Sequence, residues 1–209
     1  MFYLVKTPWW LKLFYSQCVW KLPSKEKIIY LTFDDGPHPQ ITPFVLSTLK
    51  KYEAKATFFC IGKNVAAYPD CYRNILEQGH RTGNHTNNHL NGWKVKDEEY
   101  INDIVAASKY IDSDLFRPPY GRITRFQIKA IHEKKNNPFN IIMWDVLSGD
   151  FDSAIDGEKC AQHVISHARK GSVVVFHDSE KAFPRLEFAL PKVLQFFSKK
   201  GYRFESLRV

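Results

Sequence analysis

Apolar and polar positions along the chain follow two alternating periods. Short runs rich in β-branched and aromatic residues, at 28–33, 56–61, 80–84, 115–117, 140–144, 172–176 and 202–206, read as strands. Helical spacing fills the intervals at 42–52, 70–78, 97–111, 124–135, 157–170 and 184–200. Several of these helices have legible ends. Thr42-Pro43, Thr124 and Pro184 open three of them, and Gly79, Gly171 and Gly201 stand where a left-handed residue closes one. Asp97-Glu98-Glu99 places negative charge where a helix N-terminus favours it. Seven alternations of strand and helix with mostly short connections predict a parallel sheet wrapped by helices. Seven units close more naturally into an imperfect (β/α) barrel than into an open doubly wound sheet. No glycine-rich nucleotide fingerprint follows any strand, which counts against the second architecture.

The chain of 209 residues is long enough for one large core and shows no internal repeat. Its 44% hydrophobic and 25% charged residues are an ordinary globular composition. A formal net charge of +8 favours anionic surfaces such as wall polymers or lipid headgroups. Nucleic acid is a poor fit, because Lys and Arg are dispersed and no binding signature appears. Cys18, Cys60, Cys71 and Cys160 form no Cys-x-x-Cys pair and no metal-ligand spacing, and Cys60 lies in an apolar run as an inert buried thiol.

Residues 1–26 form a separate aromatic segment ahead of a catalytic domain at 27–209. Lys6 and Lys12 interrupt its apolar run, so neither a signal peptide nor a membrane span is recognised, and a cytoplasmic or membrane-associated location is expected. Thr7-Pro8 resembles an N-cap with proline at the first helical position, and Trp10, Leu13, Phe14 and Cys18 then share a helical face. That face is expected to cover the barrel floor. The other reading lays it in a membrane surface, with Lys6, Lys12 and Lys21 towards lipid phosphate.

The candidate chemistry sits at the ends of the predicted strands. The first strand stops at Asp34 and Asp35, adjacent carboxylates whose repulsion a divalent cation would relieve, before Gly36-Pro37 forces a turn. A cap for the following helix is the alternative use of either carboxylate. His85 and His89 follow the third strand, four residues apart; on one helical turn they would share a face and grip one ion. Arg117 ends the fourth strand and needs a carboxylate partner, for which Asp34 is available. Pro118, Pro119 and Gly121 hold the backbone around Tyr120 at a fixed angle. Asp150 lies beyond the fifth strand, and His177 ends the sixth. Singly, each has a bland structural reading. Jointly they converge, because the C-terminal ends of parallel barrel strands share one face, where active sites are built.

On these residues the chain resembles the polysaccharide deacetylases of the NodB-homology type, carbohydrate esterase family 4. Thr32-Phe33-Asp34-Asp35-Gly36-Pro37 is similar to the family's first motif, His85-Thr86-Asn87-Asn88-His89 to its second, and Arg117-Pro118-Pro119-Tyr120-Gly121 to its third. The resemblance runs from about Lys27 to the C-terminus. It implies a distorted (β/α)7 barrel and one divalent metal, usually zinc with cobalt or nickel as alternatives, held by Asp35, His85 and His89. It further implies Asp34 as base and His177 as general acid, with Arg117 orienting Asp34 and Asp150 pairing with His177. The backbone N–H of Tyr120 would be the oxyanion donor. Phe151 stands where the family usually has tryptophan, and Val175 where it usually has leucine. Both exchanges are apolar for apolar and keep a pocket for an acetyl methyl while changing its size.

The expectation is a metal-dependent hydrolase removing N-acetyl groups from an amino-sugar glycan of peptidoglycan or chitin type, acting as a monomer. An O-acetyl esterase on a hemicellulose such as acetylxylan is the alternative enzyme. A non-catalytic glycan-binding or membrane-surface module is the alternative class, and it would lack a base or a ligand.

Overall fold

A computed structural model describes residues 3–133 and 139–209. Seven parallel strands curl in the order β5-β4-β3-β2-β1-β7-β6, and β8 pairs with the start of β1. The strands are β1 (Ile28–Asp34), β2 (Ala56–Cys60), β3 (Arg81–Asn84), β4 (Leu115–Phe116), β5 (Asn140–Ile141), β6 (Val146–Leu147), β7 (Val173–His177) and β8 (Arg203–Phe204). The helices are α1 (Trp9–Phe14), α2 (Ile41–Lys50), α3 (Gly62–Ala67), α4 (Pro69–Glu77), α5 (Asp97–Ala107), α6 (Arg125–His132), α7 (Gly157–His167) and α8 (Phe183–Lys199). The result is the distorted (β/α)7 barrel expected from the alternation. β1 lies between β2 and β7, where Phe33 stacks on Phe58 of β2 at 5.0 Å and Phe176 of β7 at 6.0 Å.

The boundaries differ from the sequence reading in instructive places. The helix α3 precedes the expected helix at 70–78, and the last residues of the helix predicted for 124–135 lie outside the described residues. The strand predicted for 140–144 stops at Ile141 as β5, and β6 at 146–147 is a strand the sequence reading did not predict. Two partners claim the backbone between them: Val19 bonds either side of Ile142, while Arg117 donates to the carbonyls of Ile142 and Met143 at 3.1 and 3.0 Å. A ladder cannot continue where its carbonyls are already taken.

β5 and β6 are the ends of the strand order, and the N-terminal segment spans them. Val19 bridges Ile142, Lys21 bridges Ser172 and Lys6 bridges Val146. Here the expected helix corrects in three ways. Pro8 rather than Thr7 occupies the N-cap position of α1, and the Thr7 hydroxyl donates to the Trp144 carbonyl at 2.8 Å. Trp10, Leu13 and Phe14 do not cover the barrel floor: they are exposed, and of the predicted face only Cys18, beyond the helix, is buried. Lys6 and Lys12 do not point towards a surrounding phase. Both Nζ atoms donate to Asp145, each at 2.6 Å, because this buried carboxylate needs a counter-charge that the solvent does not supply. The four cysteines are free thiols.

Candidate active site

The parallel register brings the C-terminal strand ends level. Asp34 pairs with His177 of β7 and with Phe59 of β2, which places Asp35, one residue on, at the rim of the barrel. His85 follows β3, Arg117 follows β4, and Asp150 lies three residues beyond β6. One atom each from Asp35, His85 and His89 lie within 4.8 Å of one another. The Nε2 atoms of His89 and His85 stand 3.2 and 3.7 Å from Asp35 Oδ1.

The donor set fits a divalent cation. His85 Nδ1 lies 2.8 Å from the Arg117 carbonyl. A carbonyl only accepts, so the proton sits on Nδ1 and the Nε2 lone pair is turned towards Asp35, the usual outer bond of a metal-binding imidazole. Burial pushes the His85 pKa down to about 4, keeping the ring neutral and able to act as a ligand at pH 7. Burial works against ionisation of Asp35, but the His89 hydrogen bond and the nearby imidazoles overcome it and hold the carboxyl below its ordinary range.

Two further carboxylates have fixed partners. Arg117 is fully buried and donates through Nη1 to Asp34 Oδ1 and Thr32 Oγ1, both at 2.7 Å, with its guanidinium 4.1 Å from the Phe59 ring centre. Its two carbonyl bonds complete a rigid mount. Asp34 is thus oriented by a charge that cannot rotate away. On the other side, Asp150 receives His177 twice, from the backbone N–H and from ring Nδ1, both at 2.7 Å. Burial lowers the His177 pKa, yet Asp150, with Asp35 and Asp34 behind it, drives it up to about 10. At neutral pH the ring is therefore an imidazolium. Phe151 packs edge-on against His177 at 5.4 Å, and Tyr3 of the N-terminal segment packs edge-on against Phe151 at 5.1 Å.

His85 and His89 do not share a helical turn as the spacing allowed. They lie in a loop where Thr86 and His89 have φ of 63° and 58°, and Asp35 and Tyr120 are left-handed as well, at 80° and 59°. Each such residue costs about 1–3 kcal/mol and persists only when its surroundings hold it. The holders are visible. Asp103 accepts from the Asn87 and Asn88 N–H groups at 3.0 and 2.9 Å, Asn84 accepts from Thr86 N–H at 2.8 Å, and Asn64 donates to the Asp35 carbonyl at 2.7 Å. Asp178 accepts from Gly36 N–H at 3.1 Å and from the Thr42 hydroxyl at 2.5 Å. Burial raises the pKa of Asp178 to about 8, and Asp35 adds to the rise. A Cβ on Gly36 would stand 2.1 Å from Asp178 Oδ2, which is why this turn takes glycine. The ring of Tyr120 lies 4.6 Å from that of His89, and Gly121, at φ +64°, leaves room for Trp144.

All the residues singled out from sequence, Asp34, Asp35, His85, His89, Arg117, Tyr120, Asp150 and His177, are brought to this one rim. Sequence reasoning missed Asn64, Asp103, Asp178 and Tyr3. One signal was present: Asp103 sits in the apolar stripe Tyr100, Asp103, Ile104, Ala107 of α5, where a carboxylate is out of place unless it holds something.

The polysaccharide deacetylase family model matches residues 21–137. A peptidoglycan N-acetylglucosamine deacetylase of Bacillus cereus is 39% identical over 191 residues, covering 88% of both chains. A chitooligosaccharide deacetylase of Azorhizobium caulinodans is 33% identical over 165 residues, 76% of this chain and 77% of the relative. A crystal structure of a peptidoglycan N-acetylglucosamine deacetylase in complex with a naphthalenyl N-oxidanyl-benzamide superposes with a TM-score of 0.84 at 32% identity, covering 91% of each chain. With sequence motifs, barrel and rim in agreement, the chain belongs to the polysaccharide deacetylase family, the NodB-homology group of carbohydrate esterase family 4.

Proposed function

We propose that this protein is a metal-dependent hydrolase that removes N-acetyl groups from amino-sugar residues of a peptidoglycan- or chitin-type glycan. The carrying observation is the cluster of Asp35, His85 and His89 set between an Arg117-mounted Asp34 and an Asp150-mounted His177. Asp35, His85 and His89 would hold one ion, with zinc the simplest match to two imidazoles and a carboxylate; three protein ligands leave room for water and substrate. Such an ion, when bound, acidifies a water and draws electrons from the acetyl carbonyl.

The chain's own groups account for the proton movements. Asp34, fixed through one oxygen by Arg117, takes the proton of the attacking water with its other oxygen. The Tyr120 backbone N–H meets the negative charge that develops on the acetyl oxygen, a donor typically worth about 3–4 kcal/mol. An amine leaves poorly as an anion, so His177 delivers its proton to the nitrogen, and Asp150 keeps that proton on the ring until then. The relatives named peptidoglycan and chitooligosaccharide deacetylases support this amide chemistry.

The test is acetate release from a panel of acetylated glycans, including chitooligosaccharides, peptidoglycan fragments and acetylxylan, by chelator-treated protein before and after metal return. Release from the amino-sugar substrates that vanishes with the metal and returns with it is the expected result. Faster release from acetylxylan would replace the reading with the esterase, and no release from any of them would replace it with a glycan-binding module.

A further inference from the structure

The helix α1 is amphipathic in reverse. Its one lysine, Lys12, turns inward with Lys6 onto the buried Asp145, while Trp9, Trp10, Leu13 and Phe14 are 73%, 47%, 66% and 64% exposed. Five of the fourteen exposed large hydrophobic side chains among the described residues fall between Leu4 and Phe14. Such a concentration on an anchored helix marks a contact surface.

We propose that this face docks the protein on an anionic lipid surface, with the two tryptophans, Leu13 and Phe14 seated at the boundary between headgroups and acyl chains. Three features favour lipid over a second protein. Indole rings carry an apolar body and a polar N–H, the combination that settles at this boundary. Exposed cations flank the anchor: Lys21 bridges Ser172, whose hydroxyl donates to Asp145, and the turn leading into Ser172 carries Arg169 and Lys170. The patch is also small. A helix of six residues spans roughly 9 Å, whereas a stable protein interface needs about 800 Å² from each partner. Few side chains are enough for insertion into a bilayer.

The attachment also sets the orientation. Asp145 precedes β6 and donates its backbone N–H to the carbonyl of Val173, the first residue of β7, whereas His177 is the last. The helix therefore hangs from the strand ends opposite the catalytic rim, and docking leaves that rim facing away from the lipid. The ion pairs with Asp145 hold α1 in place beforehand, so little ordering is needed on insertion.

The experiment is co-sedimentation of the full chain with vesicles of mixed phosphatidylglycerol and phosphatidylcholine, and with vesicles of phosphatidylcholine alone, following tryptophan emission. Binding to the anionic vesicles with a blue shift is expected. Trp9→Ser with Trp10→Ser should weaken it at least about tenfold. Lys21→Glu and Lys170→Glu should each weaken it by roughly fivefold, leaving the apolar contribution intact at high salt. All four positions are on the surface, so the variants keep the wild-type fold and melting temperature. The proposal is overturned if the wild-type chain binds neither vesicle, if the double tryptophan variant binds as well as wild type, or if light scattering shows that Trp9 and Trp10 instead drive association of two copies.

Discussion

At the scale of single residues, the site works by fixing charges that would otherwise wander. His177 is the clearest case. In the proposed mechanism its imidazolium is needed only if the leaving group is poor, so His177→Ala should cripple hydrolysis of an N-acetyl sugar far more than hydrolysis of an activated acetate ester, measured side by side on one preparation; equal losses would overturn its proposed role as acid. Asp150 sets the proton. With the ring's pKa driven up to about 10 from an ordinary 6.5, the stabilisation from the Asp150 pair is complete below about pH 6.5 and is lost as pH rises through 10. Asp150→Asn should shift the alkaline limb of kcat to lower pH and flatten the decline of thermal stability across that window. A pH profile of the metal-loaded protein and melting curves of the metal-free protein read the two effects separately.

At the scale of elements, the N-terminal segment is a structural member of the barrel. Its cations neutralise Asp145, which also accepts from the Ser172 hydroxyl at 2.6 Å. Lys6→Met with Lys12→Met would leave that carboxylate buried without a counter-charge. The cost should be about 2 kcal/mol, less than the 3–5 of a fully enclosed pair, because Lys6 and Lys12 remain 38% and 26% exposed. Adding Asp145→Asn should recover part of it, and chemical denaturation measures both. The same segment carries Tyr3 onto Phe151, beside His177. Phe151 occupies a position where the family usually has the larger tryptophan, and the Tyr3 ring supplies aromatic surface from elsewhere in the chain. Tyr3→Ala should lower kcat several-fold with little change in KM, and Tyr3→Phe should restore it. A matching fall for both variants would show that the ring is not the part that matters.

At the scale of the whole molecule, the arrangement stands or falls with the ion. Asp35→Asn, His85→Ala and His89→Ala should each abolish stoichiometric metal in elemental analysis of the purified protein, together with acetate release. The melting temperature of wild type should rise on adding metal and that of the variants should not. Acetate release that survives complete metal removal would refute the mechanism. Parallel topology makes the three proposed ligands converge: strands β1 and β3, separated in the sheet only by β2, end at the same rim, with Asp35 directly after one and His85 and His89 in the loop after the other.

Much of this was written locally. Asp34, Asp35, Arg117, Asp150 and His177 were legible jointly, because each stands at or just after the end of a strand and parallel strand ends share one face, whereas the carboxylate pair alone could equally cap the next helix. The alternation of periods fixed the barrel class, since a strand or a helix declares itself within a few residues. What lay beyond the sequence was everything that depends on distant neighbours. The loop form of His85–His89 is imposed by Asp103 on helix α5, and the break between β5 and β6 by Val19 and the Arg117 side chain. The inward turn of Lys6 and Lys12, with the outward turn of the aromatic helix, follows from a carboxylate more than a hundred residues away. Local pattern specifies which way a segment can fold. Only the assembled barrel decides which buried charges must be answered, and from where.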